Sequence, residues 1–353
     1  MKISVAMATY NGARFLEEQL ASLAAQTRLP DELVVGDDAS TDRTPEILER
    51  FSRTAAFPVR IYRNDRNGGF SDNFLNTARR CSGDWIAFCD QDDVWLPHKL
   101  ATLKRYTELP GRQVLAVTHN AHVVDESLAH SGLHYHNVRK TTICSGRKLP
   151  YIWVASGFTM MFRADLVSSI PYEARGPDPN IPNVGLGHDV WISRLARILG
   201  DVVILPDDLA LYRRHALTTS AFLTGGNQQI KNSRKLYHRI RQVAALGANS
   251  FKGHSHAAYH QARAFGHLAR EPSLAEWRGQ FLGAEAAYAA LSKWLLMRSR
   301  IYVERKLHLR MWHLAKVLLK GGYMRFNCYS ILNAKKIIRD IVFDVAIAFY
   351  GPR

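Results

Sequence analysis

Phe88-Cys89-Asp90-Gln91-Asp92-Asp93 sets three carboxylates within four residues, directly after a short apolar run. Like charges that close repel one another unless a cation neutralises them. Hard divalent cations such as Mg²⁺ or Mn²⁺ take oxygen ligands and share them with substrate phosphates. A strand end presenting alternating carboxylates is therefore a physically sensible metal site. The same residues also suit a solvated acidic turn whose aspartates cap a helix over 97–108. A second acidic group, Asp37-Asp38-Ala39-Ser40-Thr41-Asp42, follows Val34-Val35-Gly36. A carboxylate there can accept the N3–H of a uracil or thymine ring. Turn and N-cap chemistry explains Ser40 to Asp42, but it leaves the adjacent Asp37 and Asp38 unexplained.

Residues of this kind act only if strands deliver them to one edge. The spacing predicts strands at 2–8, 32–37, 59–63 and 85–89, and helices at 14–26, 44–54 and 70–81. The first helix carries Phe15, Leu16, Leu20 and Leu23 on one face, and the third follows an Asn67-Gly68-Gly69 turn. Continuous apolar strands separated by helices imply a mainly parallel sheet covered on both faces, a doubly wound α/β architecture. Ligands of such sheets bind beyond the carboxyl ends of the strands. Both acidic groups fall there, as does the turn-like Thr9-Tyr10-Asn11-Gly12. From 171 to 187 Pro, Gly and Asn predict a long loop, a feature often functional. His188–Leu199 then reads as a helix, with short strands at 202–205 and 209–213. Beyond 230 the expectation is helical, chiefly at 273–296 and 302–320.

Taken together, Ala8-Thr9-Tyr10-Asn11-Gly12, Asp37-Asp38-Ala39-Ser40-Thr41-Asp42, Asn67-Gly68-Gly69 and Asp90-Gln91-Asp92-Asp93-Val94-Trp95 resemble, in order and spacing, the family 2 glycosyltransferases of the GT-A fold. The resemblance covers about residues 1–220. The wording from Asp90 through Leu96-Pro97 to Lys99-Leu100 is similar to the rhamnosyltransferase-type branch that builds bacterial surface polysaccharides. The resemblance implies that Thr9, Tyr10 and Asp38 line the nucleoside pocket. Asp90 would lie near ribose and metal, Asp92 would be the principal ligand of Mg²⁺ or Mn²⁺, and Asp93 would stand behind them. It places the catalytic base at Asp189, in Gly187-His188-Asp189-Val190-Trp191, although His188 replaces the usual acidic neighbour. An N-cap aspartate fits the same position. After the last core strand, Arg213 would assist the diphosphate and His215 would reach the metal; a basic strand terminus reads equally from the residues. Gly157 in Ser156-Gly157-Phe158 resembles the acceptor-side turn, where a structural tight turn also fits. His188 and Trp191 are placed on the acceptor side as well. Trp153 and Trp191 could stack on a sugar or belong to the core.

Of 353 residues, nearly half are hydrophobic, so a packed catalytic domain over 1–230 is expected, with a nucleotide half to about 110 and an acceptor half beyond it. The net charge of +16 is confined to 231–353, where 22 Lys and Arg face 6 Asp and Glu; the first 230 residues hold 25 of each sign. The four cysteines form no metal-ligand spacing, which suits a reducing cytoplasm. No leader and no spanning stretch of about 20 apolar residues is read. The protein is expected to be cytoplasmic, or peripheral at the inner face of the membrane. In the basic region Tyr237, Trp277, Trp294, Trp312 and Tyr323 lie among Lys and Arg, which suits either an anionic membrane surface or a solvated helical face. No nucleic-acid signature accompanies the charge, and nucleic acid is not an expected partner.

The expected activity is thus inverting transfer of a sugar from a nucleotide diphosphate, dTDP-rhamnose or a UDP-sugar. The expected acceptor is a saccharide or a polyprenyl-linked saccharide. A sugar nucleotidyltransferase would want a glycine-rich basic phosphate loop near residue 9, and none is present. A catalytically inactive sugar-nucleotide module with a binding tail is the non-enzymatic alternative.

Overall fold

The computed structural model describes residues 1–136, 138–145, 155–178, 184–215, 233–304 and 306–319, together with 341, 344–345 and 347–348; side chains of 233–248 are not part of that description. Trp153, Tyr323 and the side chain of Tyr237 lie outside the described residues. The chain divides into two compact units. One comprises Met1–Arg147, Val154–Tyr172 and Gly187–Thr219; the other comprises Lys148–Trp153, Glu173–Leu186 and Ser220–Arg353.

In the first unit β1 (Ile3–Thr9), β2 (Glu32–Asp37) and β4 (Trp85–Cys89) are buried along their whole length. Such runs cannot face water on either side, so they form the parallel centre of the sheet, with β2 and β4 flanking β1. β3 (Val59–Arg63) extends the parallel set beyond β2 and is half-exposed, as an edge strand should be. The helices α1 (Leu16–Ala24), α2 (Thr44–Ser52) and α3 (Phe70–Arg79) connect these strands. In α1, Leu16, Leu20 and Leu23 point into the core at helical spacing. α3 lies so close to β2 that a Cβ on Gly36 would stand 2.1 Å from Thr77 Oγ1 and 2.5 Å from Asn73 Oδ1. That approach lets the Asn73 amide donate to the Gly36 carbonyl at 2.7 Å.

Past β4 the sheet becomes mixed. β9 (Met160–Arg163) pairs antiparallel with β4 and with β6 (Val114–Val124). β10 (Asp201–Arg213) runs parallel to β6 and antiparallel to the two-residue β5 (Val94–Trp95) and to β8 (Thr142–Ser145). β7 (His130–His134) forms a hairpin with β6. The two short strands expected at 202–205 and 209–213 are one strand. Its register slips on both sides of Asp208, just after Pro206, which has no N–H to give the ladder. α4 (Lys99–Lys104), the brief α5 (Asp165–Ser168) and α6 (His188–Leu199) complete this unit.

The second unit is helical, built on α7 (Ser233–Leu268), α8 (Arg278–Val303) and α9 (Leu307–Leu319). The helical character expected beyond 230 is met by α7, α8 and α9, but the expectation begins α8 too early, because Pro272–Trp277 is a 3₁₀ segment. A single helix over 302–320 does not form either, since Glu304 is extended. The helices are stitched by Ser255 and Ser292, each hydroxyl donating to the other residue's carbonyl at 2.8 Å. Phe265 stacks on Phe281, 6.1 Å between ring centres. Most of the expected loop, Glu173–Leu186, belongs to this unit, and the Gln261 amide on α7 donates to the Arg175 carbonyl. Trp277 and Trp294 are core residues here, whereas Trp312 is 57% exposed with Lys316 Nζ 4.5 Å from its ring centre. Among the described residues no helix is long and apolar enough to cross a membrane.

Candidate active site

The cluster Asp90–Asp93 is a taut link. Cys89, just before it, pairs with Met7 of β1, and Val94, just after it, pairs with Leu211 of β10. Between these anchors Gln91 reaches back to the loop after β1. Its Oε1 accepts from the Tyr10 N–H at 2.9 Å, and its Nε2 donates to the Tyr10 carbonyl at 3.0 Å. Gly12 makes room for it, since a Cβ there would fall 2.1 Å from Gln91 Oε1. The β1 loop is tied equally firmly to the β2 loop. The Asn11 N–H donates to Ser40 Oγ and the Thr41 N–H to Asn11 Oδ1, at 2.9 and 2.8 Å. Asn11 (φ 46°) and Ala39 (φ 61°) hold left-handed backbone in these two loops. For Ala39 that conformation costs about 1 kcal/mol, and it separates the directions taken by Asp38 and Ser40.

In the β2 loop the carboxylates are satisfied by the fold. Asp37 accepts from Thr9 Oγ1 at 3.0 Å and from the Ser40 N–H at 3.2 Å. Asp38 accepts from Asn64 Nδ2 at 2.8 Å and from the Gly68 and Gly69 N–H groups at 2.9 Å each. It thereby holds the turn that starts α3, where Gly69 sits at φ 92°. Thr9 is buried on Asp37, and Tyr10 is 47% exposed at the rim.

The carboxylates after β4 are far less satisfied. Asp92 pairs with His215, Nε2 to Oδ2 2.8 Å, and the His215 ring packs on Phe15 with 4.8 Å between ring centres. Asp93 is buried; one oxygen accepts from the Arg213 N–H at 3.0 Å, and the other has no partner among the described residues. Burial and then the charge of Asp92 push the Asp93 carboxyl well above the usual range. Burial, reinforced by Asp92 and Asp189, raises Asp90 to about 8. Asp189, in the first turn of α6, is thus close enough to bear on Asp90 electrostatically.

Two cations sit in the wall behind this cluster. Lys99 is wholly buried, with Nζ donating to the Phe158 carbonyl at 2.6 Å and lying 3.5 Å from the centre of the Trp95 ring. Burial lowers it to about 7, against the opposing charges of Cys89, Asp93 and Asp90. Arg213, expected at the donor, is a buried strut instead. Its Nε donates to the Asp92 carbonyl at 2.8 Å and its NH1 to the Glu126 carbonyl at 2.7 Å, and its NH2 pairs with Glu18. It holds the backbone of the cluster and does not extend from it.

Three residues expected on the acceptor side are packed away. Trp191 is fully buried and offers no face to a sugar. His188 is buried, stacked on Phe74 at 4.2 Å and edge-on to Phe88 at 4.9 Å between ring centres. Gly157 makes room for that imidazole, since a Cβ there would lie 2.6 Å from His188 Nε2. An aromatic ring therefore fills the place of the usual acidic neighbour of Asp189, which explains the departure at 188. Tyr135, on no motif, lies close enough to feel the same carboxylates. Its hydroxyl bonds Ser156 Oγ at 2.6 Å, and burial raises it well above the usual phenol range, with added pressure from Asp189 and Asp90.

Residues 4–170 match the profile of glycosyl transferase family 2. An uncharacterized glycosyltransferase of Nostoc sp., alr2836, is 33% identical over 126 residues, 35% of this chain and 38% of that one. The dTDP-rhamnosyl transferase RfbG of Shigella flexneri is 36% identical over 98 residues, 27% of this chain and 34% of that one. The chain therefore spans well under half the length of these curated relatives. Among solved structures, S. aureus TarS in complex with UDP-GlcNAc has a TM-score of 0.52 at 18% identity, with 92% of each chain covered. That likeness is one of fold: a GT-A-type α/β sheet followed by helices.

Proposed function

We propose that this chain, which belongs to glycosyl transferase family 2 through residues 4–170, moves a sugar from a nucleotide diphosphate donor to a saccharide hydroxyl with inversion. The observation that carries the reading is the unsatisfied cluster Asp90–Asp92, opened toward Asp189 and clamped to the β1 loop. A divalent cation fits this donor set. Asp92 and His215 already present an oxygen and a nitrogen 2.8 Å apart, and Asp90 is under pressure that an added positive charge would relieve. These residues would hold Mg²⁺ or Mn²⁺, leaving positions for phosphate oxygens. The ion would supply charge stabilisation to the departing nucleoside diphosphate.

The chain's own residues do the rest. Tyr10 and the loops joined by Asn11 and Ser40 edge the nucleoside side. Asp38 supports that side by fixing the 67–69 turn. Asp189 takes the proton of the acceptor hydroxyl as general base, and Tyr135 with Ser156 orients the groups around it. Arg213 and Lys99 hold the cluster from behind. The likeness to RfbG favours dTDP-rhamnose as donor and surface polysaccharide as the setting. The exposed Trp312 beside Lys316 favours contact of the basic helical region with an anionic membrane, where a polyprenyl-linked acceptor would lie.

A screen of nucleotide sugars with and without Mn²⁺ tests the activity. Asp189→Asn is expected to keep donor binding and lose transfer by about 10²–10⁴-fold; retained transfer removes it as the base. For the membrane reading, the full chain should float with anionic vesicles and Trp312→Ser should float less. Equal recovery of both in the soluble fraction refutes that contact.

A further inference from the structure

Outside the aspartate cluster, a second group of ligand-type side chains meets on the first unit, and the proposed reaction does not use it. His122 lies on β6, His134 on β7 and Asp208 on β10. Antiparallel pairing sets His122 opposite His134, so both imidazoles leave the same face of the sheet. Asp208 joins them where β10 slips register against β6, between Ile204 and Asp208 and again between Asp208 and Leu211. Irregularities of this kind re-aim a side chain. His134 Nδ1 lies 3.1 Å, and His122 Nε2 3.4 Å, from Asp208 Oδ2. One ligand atom from each residue falls within 4.8 Å of the others. Ligand atoms around a tetrahedral zinc, at bonds of about 2.0–2.1 Å, stand roughly 3.3 Å apart. Two of the three spacings are already of that size.

The geometry points to a divalent transition-metal site made by His122, His134 and Asp208, sharing no residue with the Asp92 cluster. Two imidazole nitrogens and one carboxylate suit Zn²⁺ or its neighbours, whereas Mg²⁺ prefers oxygen alone. Three protein ligands leave a fourth position for water or a substrate group. A third imidazole, His130, packs edge-on against His122 with 4.9 Å between ring centres, enclosing one side. The site also has a structural consequence. Tyr135 directly follows His134, and its N–H bonds the Ala121 carbonyl at 2.8 Å. A metal joining β6, β7 and β10 therefore pins the strand that delivers the Tyr135 hydroxyl toward Asp90 and Asp189. The competing description is a plain hydrogen-bonded group, each ring donating an N–H to Asp208.

Cobalt separates the two descriptions, because Co²⁺ bound through imidazole in four or five coordination absorbs in the visible. The full chain carrying Asp92→Ala, which lacks the other site, is titrated with CoCl₂ at pH 7.5. One equivalent giving visible bands, displaced by ZnSO₄, is expected. The bands should disappear when His134→Gln or His122→Gln is added, with circular dichroism unchanged. Zn²⁺ should raise the Tm of the Asp92→Ala protein by several degrees and leave that of the His variants where it was. No visible bands at stoichiometric Co²⁺, or bands that persist in both His variants, overturn the site.

Discussion

Two groups of aspartates end the two strands that flank β1, and they have opposite fates. Asp37 and Asp38 at the end of β2 are satisfied by donors of the fold: the Thr9 hydroxyl, the Ser40 amide, the Asn64 side chain and the Gly68 and Gly69 amides. Asp90, Asp92 and Asp93 after β4 hold fewer bonds, and two of their carboxyls are pushed upward by burial and by one another. A carboxylate that the fold satisfies stabilises the fold. One that the fold leaves under pressure awaits something else, and that is the physical signature of a working site. Adjacent aspartates at a strand end thus have two meanings, told apart by counting donors.

The largest effect that would break this contrast is at Asp92. Asp92→Ala should lower transfer by about 10²–10³-fold, comparable to removing one charge-stabilising partner of a transition state. Its thermal midpoint should stay put or rise, since a repelling charge is lost. Full activity in Mn²⁺ would leave the cluster as a mere acidic turn. Asp38→Ala should behave in reverse. Loss of three bonds to one charged acceptor should cost about 2–3 kcal/mol of stability, read as a lower urea midpoint. A variant with unchanged stability but weakened donor binding would make Asp38 a ligand for the base and not the keeper of the 67–69 turn.

The pH dependence of stability sharpens the comparison further. Burial and its acidic neighbours push Asp90 up to about 8 in the fold, against about 3.9 when unfolded. Between those values the folded protein binds more protons than the unfolded chain, so stability falls as pH rises through the window. Solvent reaches this half-buried carboxyl, which holds the effect to on the order of 1–2 kcal/mol. Asp90→Asn should flatten the decline between pH 4 and 8, and Mn²⁺ should do the same in the parent protein. Lys99 has the opposite slope at higher pH. Its folded value near 7 lies below the unfolded one, so stability rises from about pH 7 toward 10. A parent protein whose stability already climbs from pH 4 to 8 would contradict the assigned pressure on Asp90.

What the sequence made legible follows the same division. Strand ends could be read because β1, β2 and β4 each centre on apolar residues, and the acidic groups begin at the last residue of β2 and just after β4. The direction of side chains within a helix or turn was not legible. Trp191 and His188 sit in the correct segment but face the core, and Arg213 reads as a reaching cation though its donors are consumed by backbone carbonyls and Glu18. Lys99 looks like one more lysine on an amphipathic helix. Only tertiary packing puts it beneath Asp90 and Asp93, although a lysine among Trp95, Leu96 and Leu100 was a usable hint. Beyond 230 the helical character was legible but the element bounds were not, since the 3₁₀ segment Pro272–Trp277 precedes α8 and the extended Glu304 ends it.

The smallest expected effect falls at the far edge of the open cluster. Tyr135 comes from a hairpin with no motif, yet its hydroxyl bonds Ser156 and feels both Asp189 and Asp90. Burial, with added pressure from Tyr212, Asp189 and Asp90, holds the phenol protonated across the working pH range, so it shares a hydrogen bond with Ser156 and does not act as a base. Tyr135→Phe removes one hydrogen bond, about 0.5–1.5 kcal/mol, which is roughly 2–10-fold in rate or acceptor KM. The ring's contacts with Phe158 and Tyr212, 5.0 and 4.8 Å between ring centres, remain and keep the hairpin in place. Ser156→Ala should reproduce the change if the phenol works through that hydroxyl. A shift in acceptor KM with unaltered Mn²⁺ dependence would extend the working site from Asp92 across Asp90 and Asp189 to β7. Wild-type kinetics in both variants would confine it to the residues after β4, leaving Tyr135 among the groups that, like Asp38, serve only the fold.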